Sequence, residues 1–131
     1  MNRFDSRLPK TTSYWRQGKI FYIKHDSFLV SLEEGKAIAD LLAYGIKDQE
    51  TSAMVIDNRD SKGAWSQELN ELWTLEGHNI QLSDFKKTAT LTNSITAAMQ
   101  INRISRAGGV SHMSKGFYSD LNDEVKDFLE I

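Results

Sequence analysis

Three histidines, a Glu33-Glu34 pair, a Gly108-Gly109 doublet and a polar run from Asp57 to Ser66 carry the side chains and turns best suited to chemistry in this chain. His25, His78 and His112 are far apart, and none forms an i, i+4 pair. A zinc site, which needs three or four ligands, is therefore not assembled locally. Each histidine falls in an expected loop or element end and reads as a surface or turn residue. His25-Asp26 and a distant serine could be drawn as a triad, but no Gly-x-Ser-x-Gly elbow is present. Glu33 and Glu34 read as first-turn residues favoured by a helix dipole. Gly108-Gly109 follows a helix, where a phosphate-binding loop would precede one, so it reads as a helix stop. The absence of cysteine excludes disulfides, thiolate zinc sites and thiol nucleophiles. No catalytic residue, metal set or cofactor is assigned.

The polar run is more informative. Asp57-Asn58-Arg59-Asp60-Ser61 follows the apolar Ala53-Met54-Val55-Ile56, which reads as a strand covered on both faces. The carboxyl end of a parallel strand is where α/β sheets place ligand or partner sites. A phosphate on Ser61 or Ser66 would add about −1.5 to −2 charge beside a helix N-terminus, with Arg59 or Lys62 available to pair. The alternative is that Asp57 and Arg59 form a structural ion pair and Ser66 caps its helix.

The elements that position this run follow from periodicity. Tyr14-Trp15-Arg16 and Ile20-Phe21-Tyr22-Ile23 flank Gln17-Gly18-Lys19 as a hairpin, and Phe28-Leu29-Val30 extends the region as a short third piece. Ser31 and Glu34 have capping-box spacing. The helix they open buries Gly35, Ile38, Leu41, Leu42 and Gly45, with Gly45 as its left-handed terminator. Helices are also expected over 66–76, ended by Gly77, over 94–106, and from Asn122 onward. Trp65 and Trp73, eight residues apart on one helical face, read as core. Thr88-Ala89-Thr90-Leu91 and Phe117-Tyr118 read as strands. The fold class is α/β with a mixed, mostly parallel sheet, an N-terminal hairpin, helices packed on the sheet and the order β-β-α-β-α-β-α-β-α.

Composition sets the class. The 131 residues suit one domain, read as residues 13–131 behind a loose lead-in of residues 1–12 that holds the only proline, Pro9. Sixteen basic and eighteen acidic residues leave a net charge of −2, which argues against a nucleic-acid partner. With no signal-like h-region and no run of apolar residues long enough to span a bilayer, the expectation is a cytoplasmic protein without a membrane span.

The element order, with three short segments, resembles the STAS domain, the SpoIIAA-like fold of the sporulation anti-sigma-factor antagonist, and within it a bacterial subgroup. The segments are Gly18-Lys19-Ile20-Phe21-Tyr22, then Val55-Ile56-Asp57-Asn58-Arg59 with Ser66-Gln67-Glu68-Leu69, and Gly116-Phe117-Tyr118-Ser119-Asp120. The resemblance implies a non-enzymatic regulatory domain that docks a protein partner through residues 57–69 and is switched by phosphorylation of a serine near the start of the following helix. Asp60-Ser61-Lys62-Gly63 has the form of the family's Asp-Ser-x-Gly turn but comes only three residues after Asp57. The family spacing falls nearer Ser66, which follows Trp65.

The helix over 94–106 carries a wide apolar stripe of Ile95, Ala98, Met99, Ile101 and Ile104, extended by Val110 and Met113. Packing on the sheet accounts for such a stripe. Met99, Ile101 and Ile104 would alternatively form an apolar patch, either a homodimer contact or one wall of a pocket for a small apolar ligand or lipid, as in Sec14-type proteins with a related sheet.

Overall fold

Gly18 adopts a φ of 63°. That value lies in the left-handed region, which a residue without Cβ enters freely. The two-residue turn Gly18-Lys19 folds Thr12–Gln17 (β1) back on Ile20–His25 (β2) as an antiparallel pair. The chain then alternates: α1 (Leu32–Lys47), β3 (Ala53–Asp57), α2 (Gln67–Asn79), β4 (Lys87–Leu91), α3 (Ile95–Ala107), β5 (Ser114–Phe117) and α4 (Asp123–Leu129). The computed structural model describes residues 6–79, 86–107, 109 and 111–131. Its five strands form one mixed sheet in the order β1-β2-β3-β4-β5, with every pair after the first parallel. The protein is thus an α/β fold, and none of its described helices is long and apolar enough to cross a membrane.

Strand register separates the two faces, because neighbouring paired residues point the same way. Phe21, Ile23 and Met54 face α1, where they bury Leu41 and Ile46. Gly116 lies on the same face through its pairing with Thr90 and Ile56, and there it meets α3. Ala53, Val55, Ala89, Leu91 and Phe117 point to the opposite face and pack on Val125 and Leu129 of α4. Crossovers that step along the sheet in one direction with one hand leave their helices on one side. The last helix has no further strand to reach and covers the other side.

The central strand β3 carries apolar residues on both faces, as its uninterrupted run Ala53-Met54-Val55-Ile56 requires. The outer strand β5 is closed by a side chain. Gly116 donates its N–H to Asn102 Oδ1 at 2.9 Å and accepts from Asn102 Nδ2 at 3.2 Å. The amide thus completes the edge much as a strand would.

Several local expectations hold and others are corrected. Ser31 Oγ accepts from the Glu34 amide at 3.1 Å, and Glu34 Oε1 accepts from the Ser31 amide at 2.8 Å. These two bonds close the capping box. Asn122 caps α4 through the Val125 amide. Gly45 does not end α1, which runs on to Lys47; it is buried where the helix crosses the sheet beneath Phe21 and Met54. Gly77 likewise lies inside α2. Phe28-Leu29-Val30 is no strand: the Phe28 amide donates to the Lys62 carbonyl at 2.9 Å and the Val30 amide turns back to the Phe28 carbonyl at 3.1 Å. Trp65 precedes α2 instead of sitting on it, but its ring still meets that of Trp73 edge-on at 5.2 Å. Of the lead-in, residues 1–5 lie outside the described residues. Beyond them Pro9 is buried, Leu8 packs on the α1 side of the core, and Arg7 pairs with Asp40 at 2.9 Å.

Gly45 supplies a test whose sign is decisive. Helix propensity alone makes Gly45→Ala a gain of about 1 kcal/mol. An added Cβ would instead lie 2.7 Å from Met54 Cε and 3.0 Å from Phe21 Cδ1. The expected result in urea unfolding is a loss of about 1–3 kcal/mol from overpacking.

Candidate functional site at the carboxyl edge of the sheet

Asp57 ends β3, and the loop after it is built on its carboxylate. Arg59 reaches back two residues and donates Nε to Oδ1 at 2.9 Å and a terminal nitrogen to Oδ2 at 2.8 Å; the Arg59 amide adds a third bond at 3.1 Å. This bidentate pairing is the strongest geometry available to the two groups. The Arg59 guanidinium holds the Asp57 carboxyl below the usual carboxylate range, against the raising effect of burial. The expected structural ion pair is therefore present.

The rest of the loop is tied to its neighbours. The Asn58 amide donates to the Leu91 carbonyl at 2.9 Å, and Asn93 Nδ2 donates to the Arg59 carbonyl at 2.8 Å, so the ends of β3 and β4 are joined. Ser61 Oγ donates to the His25 carbonyl, and the Lys62 amide donates to the Asp26 carbonyl at 3.2 Å, joining the loop to the end of β2. Lys24 places its ammonium between Asp60 at 2.7 Å and Asp26 at 3.0 Å, and both carboxylates raise its pKa. Among the described residues, Asn58 Oδ1 is a buried acceptor of this loop without a protein partner.

Ser66 sits further on, exposed, with Oγ accepting from the Leu69 amide at 3.2 Å at the start of α2. The N-cap reading thus describes its geometry. The structure brings Asp57, Arg59 and Ser61 into one bonded turn and leaves Ser66 outside it at the helix entrance. Sequence reasoning missed Leu29. Its side chain lies over Gly63, whose φ is 81°, and is 76% exposed on a loop pinned by the Phe28–Lys62 backbone bond. In the sequence Leu29 is the centre of the apolar run Phe28-Leu29-Val30, which reads as a strand and carries no signal of its exposure.

His25 overturns the reading of the histidines as surface or turn residues. It is the last residue of β2, 3% exposed, with Nδ1 at 2.9 Å from Thr12 Oγ1 and its ring edge-on to Trp65 at 5.5 Å. The alternation that buries Phe21 and Ile23 also buries His25, two residues on. Burial pushes its pKa from 6.5 down to about 4, against a raising pull from Asp26. His112 is exposed; the side chain of His78 lies outside the described residues. Among the described residues, no three His, Asp or Glu side chains are grouped to hold a metal.

The α3 stripe divides. Ile101 packs against Gly116, whereas Met99 and Ile104 are 64% and 70% exposed. Five positions apart on a helix, Met99 and Ile104 point to different flanks, with Gln100 and Arg103 between them. Gly108 and Val110 lie outside the described residues.

No protein-family model matches the chain, and neither a curated protein nor a solved structure is significantly similar to it.

The buried imidazole makes stability depend on pH with a definite sign. The unfolded chain binds the His25 proton near pH 6.5 and the folded chain only near pH 4. His25's contribution is complete above 6.5 and is lost as pH falls towards about 4, a change of about 3 kcal/mol. Asp57, with its depressed pKa, adds a loss only at lower pH. Urea midpoints should fall across the upper window while the His25 ring resonances show a neutral imidazole; a flat profile there contradicts the assignment.

Proposed function

We propose that the chain is a non-enzymatic regulatory domain of the STAS, or SpoIIAA-like, type, working in the cytoplasm and docking a protein partner through residues 57–69. The observation that carries this reading is the self-contained bonding of the carboxyl-edge loop. Asp57, Arg59 and Ser61 spend their polar groups on one another and on the neighbouring strand ends. A site arranged in this way presents a preformed surface, with no unengaged acid, base and nucleophile brought together. That surface consists of the exposed Ser66, Gln67 and Glu68 at the entrance to α2, beside Leu29.

The switch residue in this proposal is Ser66. Its hydroxyl is exposed at a helix N-terminus, where a phosphate is electrostatically welcome. Ser61 is partly buried with its hydroxyl donated to the His25 carbonyl, which makes it the poorer acceptor of a phosphoryl group. A homodimer through the exposed flanks of α3 is compatible with this reading. The reading as a small apolar-ligand or lipid binder draws on Ile101 alone, because Met99 and Ile104 point outward.

The Ser66 substitutions separate fold from function. Ser66→Ala removes the cap and should cost about 1 kcal/mol, whereas Ser66→Asp keeps a capping oxygen and should hold wild-type stability. Capture of partners from cells by the full chain should recover a specific protein, and both Ser66→Asp and Leu29→Asp should lose it while their melting curves stay near wild type. Recovery of no specific protein, or equal recovery by both variants, would end the proposal.

A further inference from the structure

The helices flanking the β5 edge carry opposite charge. α3 has two exposed arginines, Arg103 and Arg106, and no acidic residue, in a chain whose net charge is −2. α4 bears exposed Asp123, Glu124 and Asp127 against a single base, Lys126, and Glu130 follows as its left-handed cap. Asp123 and Asp127 are one turn apart and about 6 Å along the axis, and Glu130 continues their line; Arg103 and Arg106 are about 4.5 Å apart along α3. Apolar surface accompanies both sets. Ile95, Met99 and Ile104 are 62%, 64% and 70% exposed on α3, and Ile131 is 47% exposed beyond α4.

The sheet places these helices on opposite faces of the same half of the molecule. α3 packs on Gly116 of β5, and α4 packs over β4, with Phe128 against Phe117. Asn102 closes the β5 edge, so another strand cannot pair there without displacing it. A two-fold axis beside that edge and parallel to the strands exchanges the faces. It brings α3 of one copy against α4 of the other, and the same contact recurs in reverse.

We infer that the chain forms a two-fold homodimer in which the basic, apolar face of α3 lies against the acidic crest of α4 from the second copy. The contact pairs Arg103 and Arg106 with Asp123, Asp127 and Glu130, and it covers Ile95 and Met99, which share the arginines' side of α3. Glu130 also faces Lys87 of its own chain at 3.6 Å, but remains 75% exposed and open to a second cation. Opposite charges placed twice about one axis favour this pairing and disfavour α3 against α3 or α4 against α4.

Light scattering on the purified chain should give twice the 14.9 kDa mass of one chain at micromolar concentration. Arg103→Glu with Arg106→Glu should give a monomer, and so should Asp127→Lys with Glu130→Lys, the latter pair placing cations where the helix C-terminus tolerates them. Circular dichroism checks that each variant is folded; for a variant that fails, Arg103→Gln with Arg106→Gln or Asp127→Asn with Glu130→Gln replaces it and should weaken the dimer. Mixing the two charge-reversed proteins should restore the double mass, since both contacts of the mixed dimer again join opposite charges. A monomeric wild type, a dimer that persists in the α4-reversed protein alone, or a mixture that stays monomeric would each overturn the assignment.

Discussion

The Asp57–Arg59 pair organises the end of the molecule on which the candidate site is built. β3 is central and apolar on both faces until Asp57, where a partly buried carboxylate would be costly without a partner. Arg59 supplies one from within the same turn, so the loop's conformation is set locally and does not depend on a bound ligand. Once the turn is closed, its backbone is aimed at both neighbours: the Arg59 carbonyl receives Asn93 from beyond β4, and the Lys62 amide reaches the Asp26 carbonyl beyond β2. The carboxyl ends of three adjacent strands are thereby stitched into one surface.

The opposite end is held by a comparable device. Asp48, at the end of α1, accepts from Thr51 at 2.8 Å and from Arg16 of β1 at 2.8 Å, while its carbonyl accepts from Lys86 just before β4. The sheet is thus fastened at both ends by a single aspartate with an arginine partner. At the amino end the pairing is long-range and joins the hairpin to the rest of the sheet. At the carboxyl end it is local and shapes a loop. That difference in range accounts for the different effects of the two aspartates: the first locks topology, the second presents a surface.

Much of this was legible where a rule is local. Ser31 and Glu34 specify a capping box by their spacing, Gly18 specifies a tight hairpin, and Ala53-Met54-Val55-Ile56 specifies a strand with no solvent face. Glycines inside helices misled, because Gly45 and Gly77 have the composition of a terminator. Whether a glycine ends a helix or admits a neighbour depends on what packs over it, and over Gly45 Phe21 and Met54 come from other elements. His25 was misread because a strand-end histidine looks like a turn residue until the alternation of Phe21 and Ile23 is carried one step further. The α3 stripe was legible as apolar, but its division into a sheet-facing side with Ala98 and the half-buried Ile101 and exposed Met99 and Ile104 flanks depends on how the helix rolls against Gly116.

His25 gives the carboxyl edge its last constraint. Its ring meets Trp65 at 5.5 Å, Trp65 meets Phe28 at 4.4 Å and Trp73 at 5.2 Å, and Phe28 is bonded through its amide to Lys62. An aromatic layer therefore lies beneath the turn, below Leu29 and the entrance to α2. Such a layer favours rigidity: aromatic pairs of this kind contribute about 0.5–1.5 kcal/mol beyond the area they bury. A surface held in place by packed rings and an internal ion pair loses little conformational freedom when something binds it, which lowers the entropic cost of docking. The bonds that engage the Asp57 carboxylate, the Arg59 guanidinium and the Ser61 hydroxyl are the same ones that hold the shape of this turn.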